Sequence, residues 1–197
     1  MRQNKILQHN KRVSEGTLRI IGGLWRGRRL PFADITQMRP TLDHIRERLF
    51  NWLMFNTEGA RCLDAFAGSG ALGIEALSRQ AGEVVFLEKA EEAAKFIENN
   101  MKRLHCNHYQ LFNMDALQWL KTMKASPFDI VFLDPPFHQN LIMPVCELLQ
   151  KRKWLKINTL IYIEMEKKAH FIPPDNWQLT KQKVTKTTDT VLFRVVS

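Results

Sequence analysis

From Arg61 onward, short apolar runs alternate with amphipathic helical patterns, and that alternation leaves few folds open. Arg61–Phe66, Glu83–Glu88, His108–Asn113, Phe128–Leu133 and Thr159–Glu164 have the length and apolar content of buried strands. Between them, Ala71–Arg79, Glu91–Leu104, Ala116–Lys124 and Gln139–Gln150 carry apolar residues at helical spacing. Strands separated by helices pair in parallel, with helices covering both faces of the sheet. The pattern changes at the end, where Trp177–Thr185 and Thr190–Val195 read as a strand pair across Thr187–Asp189. The prediction is an α/β chain with a seven-stranded sheet, mostly parallel, whose last strand is antiparallel. No run of consecutive apolar residues exceeds four, so neither a membrane span nor a signal peptide is expected.

Two stretches at strand ends carry chemistry. The first, R-C-L-D-A-F-A-G-S-G-A-L-G at Arg61–Gly73, is a strand, an acid (Asp64), a glycine turn and a helix start. This is where open parallel sheets bind nucleotides, and the turn is read as offering free backbone N–H groups to a ligand. Gly68, Gly70 and Gly73 satisfy G-x-G-x-x-G, with Glu88 twenty residues after Gly68, which suits NAD. Asp64 argues otherwise, because a pyrophosphate wants no carboxylate nearby. S-adenosylmethionine carries a sulfonium and an ammonium, which a carboxylate attracts, and Glu88 accepts ribose hydroxyls in either cofactor. A cofactor held here touches Asp64, Phe66, Ala67, Gly68, Gly70 and Glu88. Asp115, with the Ala116 N–H beside it, suits an adenine amino group, or else caps the next helix.

The second stretch, F-D-I-V-F-L-D-P-P-F at Phe128–Phe137, ends its strand at Asp134, and two prolines forbid continuation. The resulting stiff corner presents the Asp134 carboxylate, the Pro135 carbonyl and, past Pro136, the Phe137 ring. Two acceptors can hold both N–H bonds of an amino group on a ring and aim its lone pair at an electrophile. Phe137 stacks on the flat base. Asp134, Pro135, Pro136 and Phe137 are therefore the candidate catalytic residues.

The net charge of +9 is uneven: residues 1–30 hold eight Arg/Lys against one acid, leaving only +2 elsewhere. Such a footprint fits nucleic acid. Residues 1–17 read as a basic flexible tail, 18–56 as an RNA-binding hairpin and helix, and 57–197 as the catalytic domain. Leu18–Ile21 and Leu24–Leu30 flank Gly22-Gly23, a two-residue hairpin signal, with a bulge expected at Gly27. Arg19, Trp25, Arg26, Arg28 and Arg29 set an aromatic among guanidiniums, suited to phosphates and bases; a protected sheet edge is the plainer reading. Leu42, Ile45, Leu49, Trp52 and Leu53 share one helical face, with Thr41 as expected N-cap. Arg39, His44, Arg46 and Arg48 lie off that face, toward substrate or simply toward water. Glu75 reads as a surface or capping residue. Three scattered cysteines and histidines without ligand spacing predict no metal site and no disulfide framework.

D-A-F-A-G-S-G and D-P-P-F resemble the cofactor and catalytic motifs of Rossmann-like S-adenosylmethionine-dependent amino-methyltransferases. With R-I-I-G-G-L-W-R-G-R-R-L at Arg19–Leu30, R-P-T-L-D-H-I-R-E-R-L-F-N at Arg39–Asn51 and G-S-G-A-L-G-I-E-A-L-S-R at Gly68–Arg79, the chain from Leu18 onward resembles the RsmD family. The resemblance implies a Rossmann-like seven-stranded methyltransferase sheet with an N-terminal β-hairpin extension. It also implies methylation of guanine N2 in 16S ribosomal RNA, within small-subunit particles, in a bacterial cytoplasm. It places Arg39 and Thr41 near the active site, as further RNA-binding candidates. A monomer is expected. Adenine N6 in DNA or RNA, a protein glutamine, a nicotinamide-dependent oxidoreductase and a non-enzymatic RNA-binding module remain the rival readings.

Overall fold

The computed structural model describes residues 14–34, 41–167 and 171–196. Its main sheet is built from β3 (Arg61–Asp64), β4 (Glu83–Leu87), β5 (Tyr109–Phe112), β6 (Phe128–Leu133), β7 (Leu155–Glu166), β8 (Trp177–Val184) and β9 (Thr188–Val195). They lie in the order β5-β4-β3-β6-β7-β9-β8. The first five are parallel, and β9 inserts antiparallel between β7 and β8. The mostly parallel sheet and the antiparallel last strand match the sequence prediction.

Alternation along the strands divides the core into two layers. Cys62, Val84, Phe86, Ile130, Phe132, Leu160 and Tyr162 point to one face. There they meet α1 (Asp43–Trp52), α2 (Ala71–Ser78) and α3 (Glu91–Leu104). Leu63, Val85, Leu87, Val131, Leu133, Ile161 and Ile163 point to the other face, against α4 (Ala116–Thr122) and α5 (Ile142–Lys151). β7 starts four residues before the expected Thr159 because a bulge carries it across polar sequence. Pairing shifts between Phe128 and Ile130, Asn158 turns left-handed (φ 71°), and Thr159 Oγ1 donates to the Phe128 carbonyl at 2.7 Å.

Gly73 has a packing role in this arrangement. A Cβ there would collide with the Phe86 ring and come within 2.9 Å of Val84 Cγ1, so glycine lets α2 lie close on β4. Overpacking costs about 1–3 kcal/mol, more than the roughly 1 kcal/mol by which alanine exceeds glycine in a helix interior. Gly73→Ala is therefore expected to lower the urea midpoint, and an unchanged midpoint would show that the helix can shift freely.

The N-terminal extension is the expected antiparallel hairpin, with a different turn and an earlier first strand. β1 (Ser14–Arg19) pairs antiparallel with β2 (Arg29–Asp34), Leu18 opposite Leu30, across a longer connection containing a 3₁₀ turn at Gly23–Trp25. Ser14 to Thr17 thus belong to a strand, while residues 1–13 of the expected tail lie outside the described residues. Gly22 and Gly23 are not a hairpin turn; they dock on α2. The Ile21 and Gly22 N–H groups donate to Glu75 at 2.9 and 2.8 Å, and the Trp25 N–H donates to Ser78 Oγ at 3.0 Å. A Cβ at Gly23, whose φ is 75°, would strike the Ser78 carbonyl. Gly27 (φ 82°) closes the connection by donating to the Ile20 carbonyl, before β2 begins, and is not a bulge within it.

Candidate active site

β3 and β6 are neighbours, with Asp64 opposite Phe132, so Asp64 and Asp134 leave the same carboxyl edge of the sheet two residues apart in register. Strand order runs one way from β3 through β4 to β5 and the other way from β6 to β7. Between β3 and β6 lies the switch point where such sheets open a ligand crevice. Asp64 is buried and accepts the Gly73 N–H at 3.0 Å. Burial pushes its carboxyl up to about 7 against that hydrogen bond, and the charges of Asp134 and Glu88 add to the push.

The three glycine N–H groups of the turn are taken, while those of Ser69, Ala71 and Leu72 have no acceptor among the described residues. Gly68 donates to Glu88 Oε2 at 2.6 Å, Gly70 to the Ala67 carbonyl at 2.6 Å, and Gly73 to Asp64. All three N–H groups of the pattern are engaged by protein acceptors, two of them carboxylates. A pyrophosphate meets two buried carboxylates at this turn, which a cationic ligand finds attractive. Glu88, raised by burial against the hydrogen bonds from Ala90 and Gly68, is the acid at the end of β4. Phe66 and Gly68 are half-buried and Ala67 is buried at the same loop. Asp115 caps α4 by accepting the Gln118 N–H at 3.2 Å, and its other oxygen has no protein donor among the described residues. Ala116 comes next in the chain, buried.

At the second corner Asp134 is half-buried, Pro135 buried, and Pro136 and Phe137 exposed. Thr41 Oγ1 donates to Asp134 Oδ2 at 2.8 Å. The hydroxyl therefore does not cap α1, whose N-cap is Leu42 without a side-chain bond. Nor does Thr41 sit among the hairpin arginines: it buttresses the acid. Loss of water raises Asp134 to about 6, against the Thr41 hydrogen bond.

Sequence reasoning missed the groups beside it. Leu133 pairs with Ile163, so Glu164 is the next position on β7, level with Asp134 and on the same face as Tyr162. Tyr162 Oη donates to Glu164 Oε2 at 3.1 Å. Burial, then repulsion from Asp134, pushes Glu164 up to about 7. The signal was there: an acid closing the buried run Leu160–Ile163, as Asp64 and Asp134 close theirs. Arg48, on α1, buries Nη1 with no partner among the described residues, and its charge opposes the upward push on the Tyr162 phenol. A cavity of about 260 Å³ opens between this corner, the start of α5 and the end of β7, lined by Pro135, Phe137, Met143, Glu164, Met165 and Phe171 but not by Asp134.

Two carboxyls raised to about 6 and 7 predict an acid limb in kcat/KM, with activity lost as pH falls through that window. An unshifted carboxylate pair would hold activity to about pH 4–5. Stability takes the opposite sign. Carboxyls harder to ionise when folded destabilise the ligand-free protein as pH rises from about 4 to 7.

Of the candidate RNA-binding residues, Arg19 and Arg29 face each other across the hairpin. Arg19, Arg26, Arg28 and Arg29 are exposed, with Arg28 Nη2 donating to the Arg103 carbonyl at 3.0 Å. Trp25 is half-buried and packs on the core, leaving part of its ring outward. Arg39 lies outside the described residues. Arg46 does not face a substrate; it is buried, bonded to the Thr41 and Arg19 carbonyls and 3.7 Å from Glu75. Glu75 is likewise no surface residue, its side chain being fully buried.

Seven strands in this order, the last antiparallel, with carboxylates on two of the glycine N–H groups, set the molecule among Rossmann-like methyltransferases. The family model described as "Conserved hypothetical protein 95" matches residues 18–194. The chain belongs to that family, the RsmD family. It is 49% identical over 175 residues to "Ribosomal RNA small subunit methyltransferase D" of Haemophilus influenzae, covering 87% of this chain and 91% of the relative. The protein of the same name from Escherichia coli is 43% identical over 171 residues, covering 86% and 85%. The solved structure of yhhF from Escherichia coli superposes with a TM-score of 0.85 at 40% identity, covering 92% of this chain and 99% of that one.

Proposed function

We propose that the protein methylates ribosomal RNA with S-adenosylmethionine, at the exocyclic N2 amino group of a guanine in 16S RNA of the small subunit. The observation that carries this reading is the placement of Asp64 and Asp134 at one edge of adjacent parallel strands, which sets a cation-attracting loop beside an amino-holding corner. Asp64, Glu88 and the Phe66–Gly70 loop would hold the cofactor, with Asp115 and the Ala116 N–H at its adenine. When bound, it supplies an electrophilic methyl group on a sulfonium.

The rest falls to this chain's residues. The target base leaves its stack, at a few kcal/mol in a duplex and less in a loop, and lies on Phe137. Asp134 and the Pro135 carbonyl take its two amino N–H bonds and aim the nitrogen lone pair across the cleft; this orientation lowers the barrier. Thr41 fixes one Asp134 oxygen, and the other accepts the proton as charge builds on nitrogen. Its raised pKa makes Asp134 a better base than an ordinary aspartate. The exposed Arg19, Arg26, Arg28 and Arg29, with Trp25, Arg39 and the net charge of +9, serve phosphate contact. On this reading the enzyme works as a monomer in the cytoplasm on small-subunit particles.

The test is methyl transfer from labelled S-adenosylmethionine to small-subunit particles and to naked 16S RNA, followed by nucleoside mass analysis. N2-methylguanosine is expected. N6-methyladenosine would shift the reading to adenine, and no transfer to either RNA would remove it.

A further inference from the structure

Two carboxylates, rather than one, stand at the base side of the cleft, and the second has a role of its own. Glu164 follows Ile163, the pairing partner of Leu133, so it stands beside Asp134 on the next strand. It is 7% exposed, yet lines the cavity with Pro135 and Phe137. Its Oε2 accepts the Tyr162 hydroxyl at 3.1 Å, whereas Oε1 has no protein donor among the described residues. A nearly buried carboxylate whose free oxygen is reached only from the cavity, next to a second acid, is costly to ionise in the free protein. The arrangement becomes favourable once a ligand supplies the missing N–H.

We propose that Glu164 is the residue that selects guanine: Oε1 accepts the ring N1–H while Asp134 holds the adjacent N2 amino group. This rests on the guanine-N2 reading above. Guanine presents N1–H beside its amino group, so its edge offers one N–H to Glu164 in addition to the two that Asp134 and the Pro135 carbonyl hold. Adenine and cytosine carry their amino group beside a bare ring nitrogen, N1 or N3, whose lone pair a carboxylate repels. A site built to accept a substrate N–H rejects analogues that lack it, because its own polar group is then left unpaired. Tyr162, by engaging Oε2, fixes which oxygen faces the base and is a positioning residue.

The test compares wild type with Glu164→Ala and the near-isosteric Glu164→Gln. Each is assayed for transfer to small-subunit particles and for inhibition by guanosine and by 2-aminopurine riboside, which keeps the 2-amino group but lacks N1–H. In the wild type guanosine is expected to inhibit about ten- to a hundredfold better than 2-aminopurine riboside, the range for one charge-assisted hydrogen bond. In Glu164→Ala that ratio falls roughly tenfold or more, with KM for particles rising more than kcat falls, while S-adenosylhomocysteine affinity is kept. Because 2-aminopurine lacks the guanine O6 in every assay, the change in ratio isolates N1–H. Glu164→Gln, which keeps an acceptor oxygen without the charge, falls between the two and serves if the alanine variant does not fold. N2-methylguanosine as product with an unaltered inhibition ratio in both variants overturns the role of Glu164 and leaves the guanine reading standing. N6-methyladenosine as the wild-type product overturns that reading itself.

Discussion

Asp134→Ala is expected to lower kcat/KM for methyl transfer by about 10³–10⁴-fold, the upper part of the range for losing a positioned acid–base group. The substitution removes the acceptor for one amino N–H, the proton acceptor, and the partner of the Thr41 hydroxyl 2.8 Å away. Cofactor affinity should change little. Asp64 and Glu88 hold that half of the site through their own backbone hydrogen bonds. Removing Asp134 also relieves the repulsion that helps raise Asp64 and Glu164. The check is single-turnover kinetics beside calorimetry with S-adenosylhomocysteine. Turnover at the wild-type rate would refute the role given to Asp134, and loss of cofactor binding would recast that role as structural.

The largest expected effect on stability is at Glu75, far from the chemistry. Glu75→Ala should cost about 3–5 kcal/mol, as breaking a buried ion pair from one side does, out of a total of about 5–15 kcal/mol for a domain. Glu75 Oε1 and Oε2 accept from Gly22, Ile21 and Arg79, the last at 2.9 Å, and the buried Arg46 lies 3.7 Å away. Alanine leaves two N–H groups without their acceptor and takes a carboxylate from Arg79 and Arg46, the latter keeping Asp43 at 2.6 Å. Because Arg46 also donates to the Thr41 carbonyl, the loss reaches the segment that carries the Asp134 buttress. Urea unfolding measures it, and protease sensitivity between Ser14 and Leu30 should rise in parallel. A variant as stable as wild type would mean that the extension docks without this acid.

The parts of the site legible in the sequence are those whose signal is local. An acid closing an apolar run marked Asp64 and Asp134, and the glycines or prolines just beyond each acid marked a turn or a stiff corner. Glu164 carries the same signal. It passed unread because no proline or glycine comes after it and because its partner, Asp134, is 30 positions earlier in the chain. Thr41 read as a helix cap, the commonest use of threonine before a helix. That it bonds Asp134, 93 residues away, depends on how α1 lies on the sheet, which no local pattern encodes. Gly22-Gly23 shows the reverse failure. The dipeptide is a genuine turn signal, overridden here because Glu75 and Ser78 supply partners that only close approach can reach. The polar Lys156–Thr159 stretch hid the first part of β7 for a similar reason: a bulge lets a strand continue where alternation stops.

The proposed chemistry requires that the loop after β3 and the corner after β6 face each other across one cleft, with acids on both sides. A crystal structure of the protein with S-adenosylhomocysteine and guanosine 5′-monophosphate tests that most directly. The expected result is the sulfur directed at N2, the ribose on Glu88, and N2 bonded to Asp134 with N1–H toward Glu164. Cofactor bound away from the Asp64–Gly70 loop, or a guanine whose amino group turns from Asp134, would contradict it.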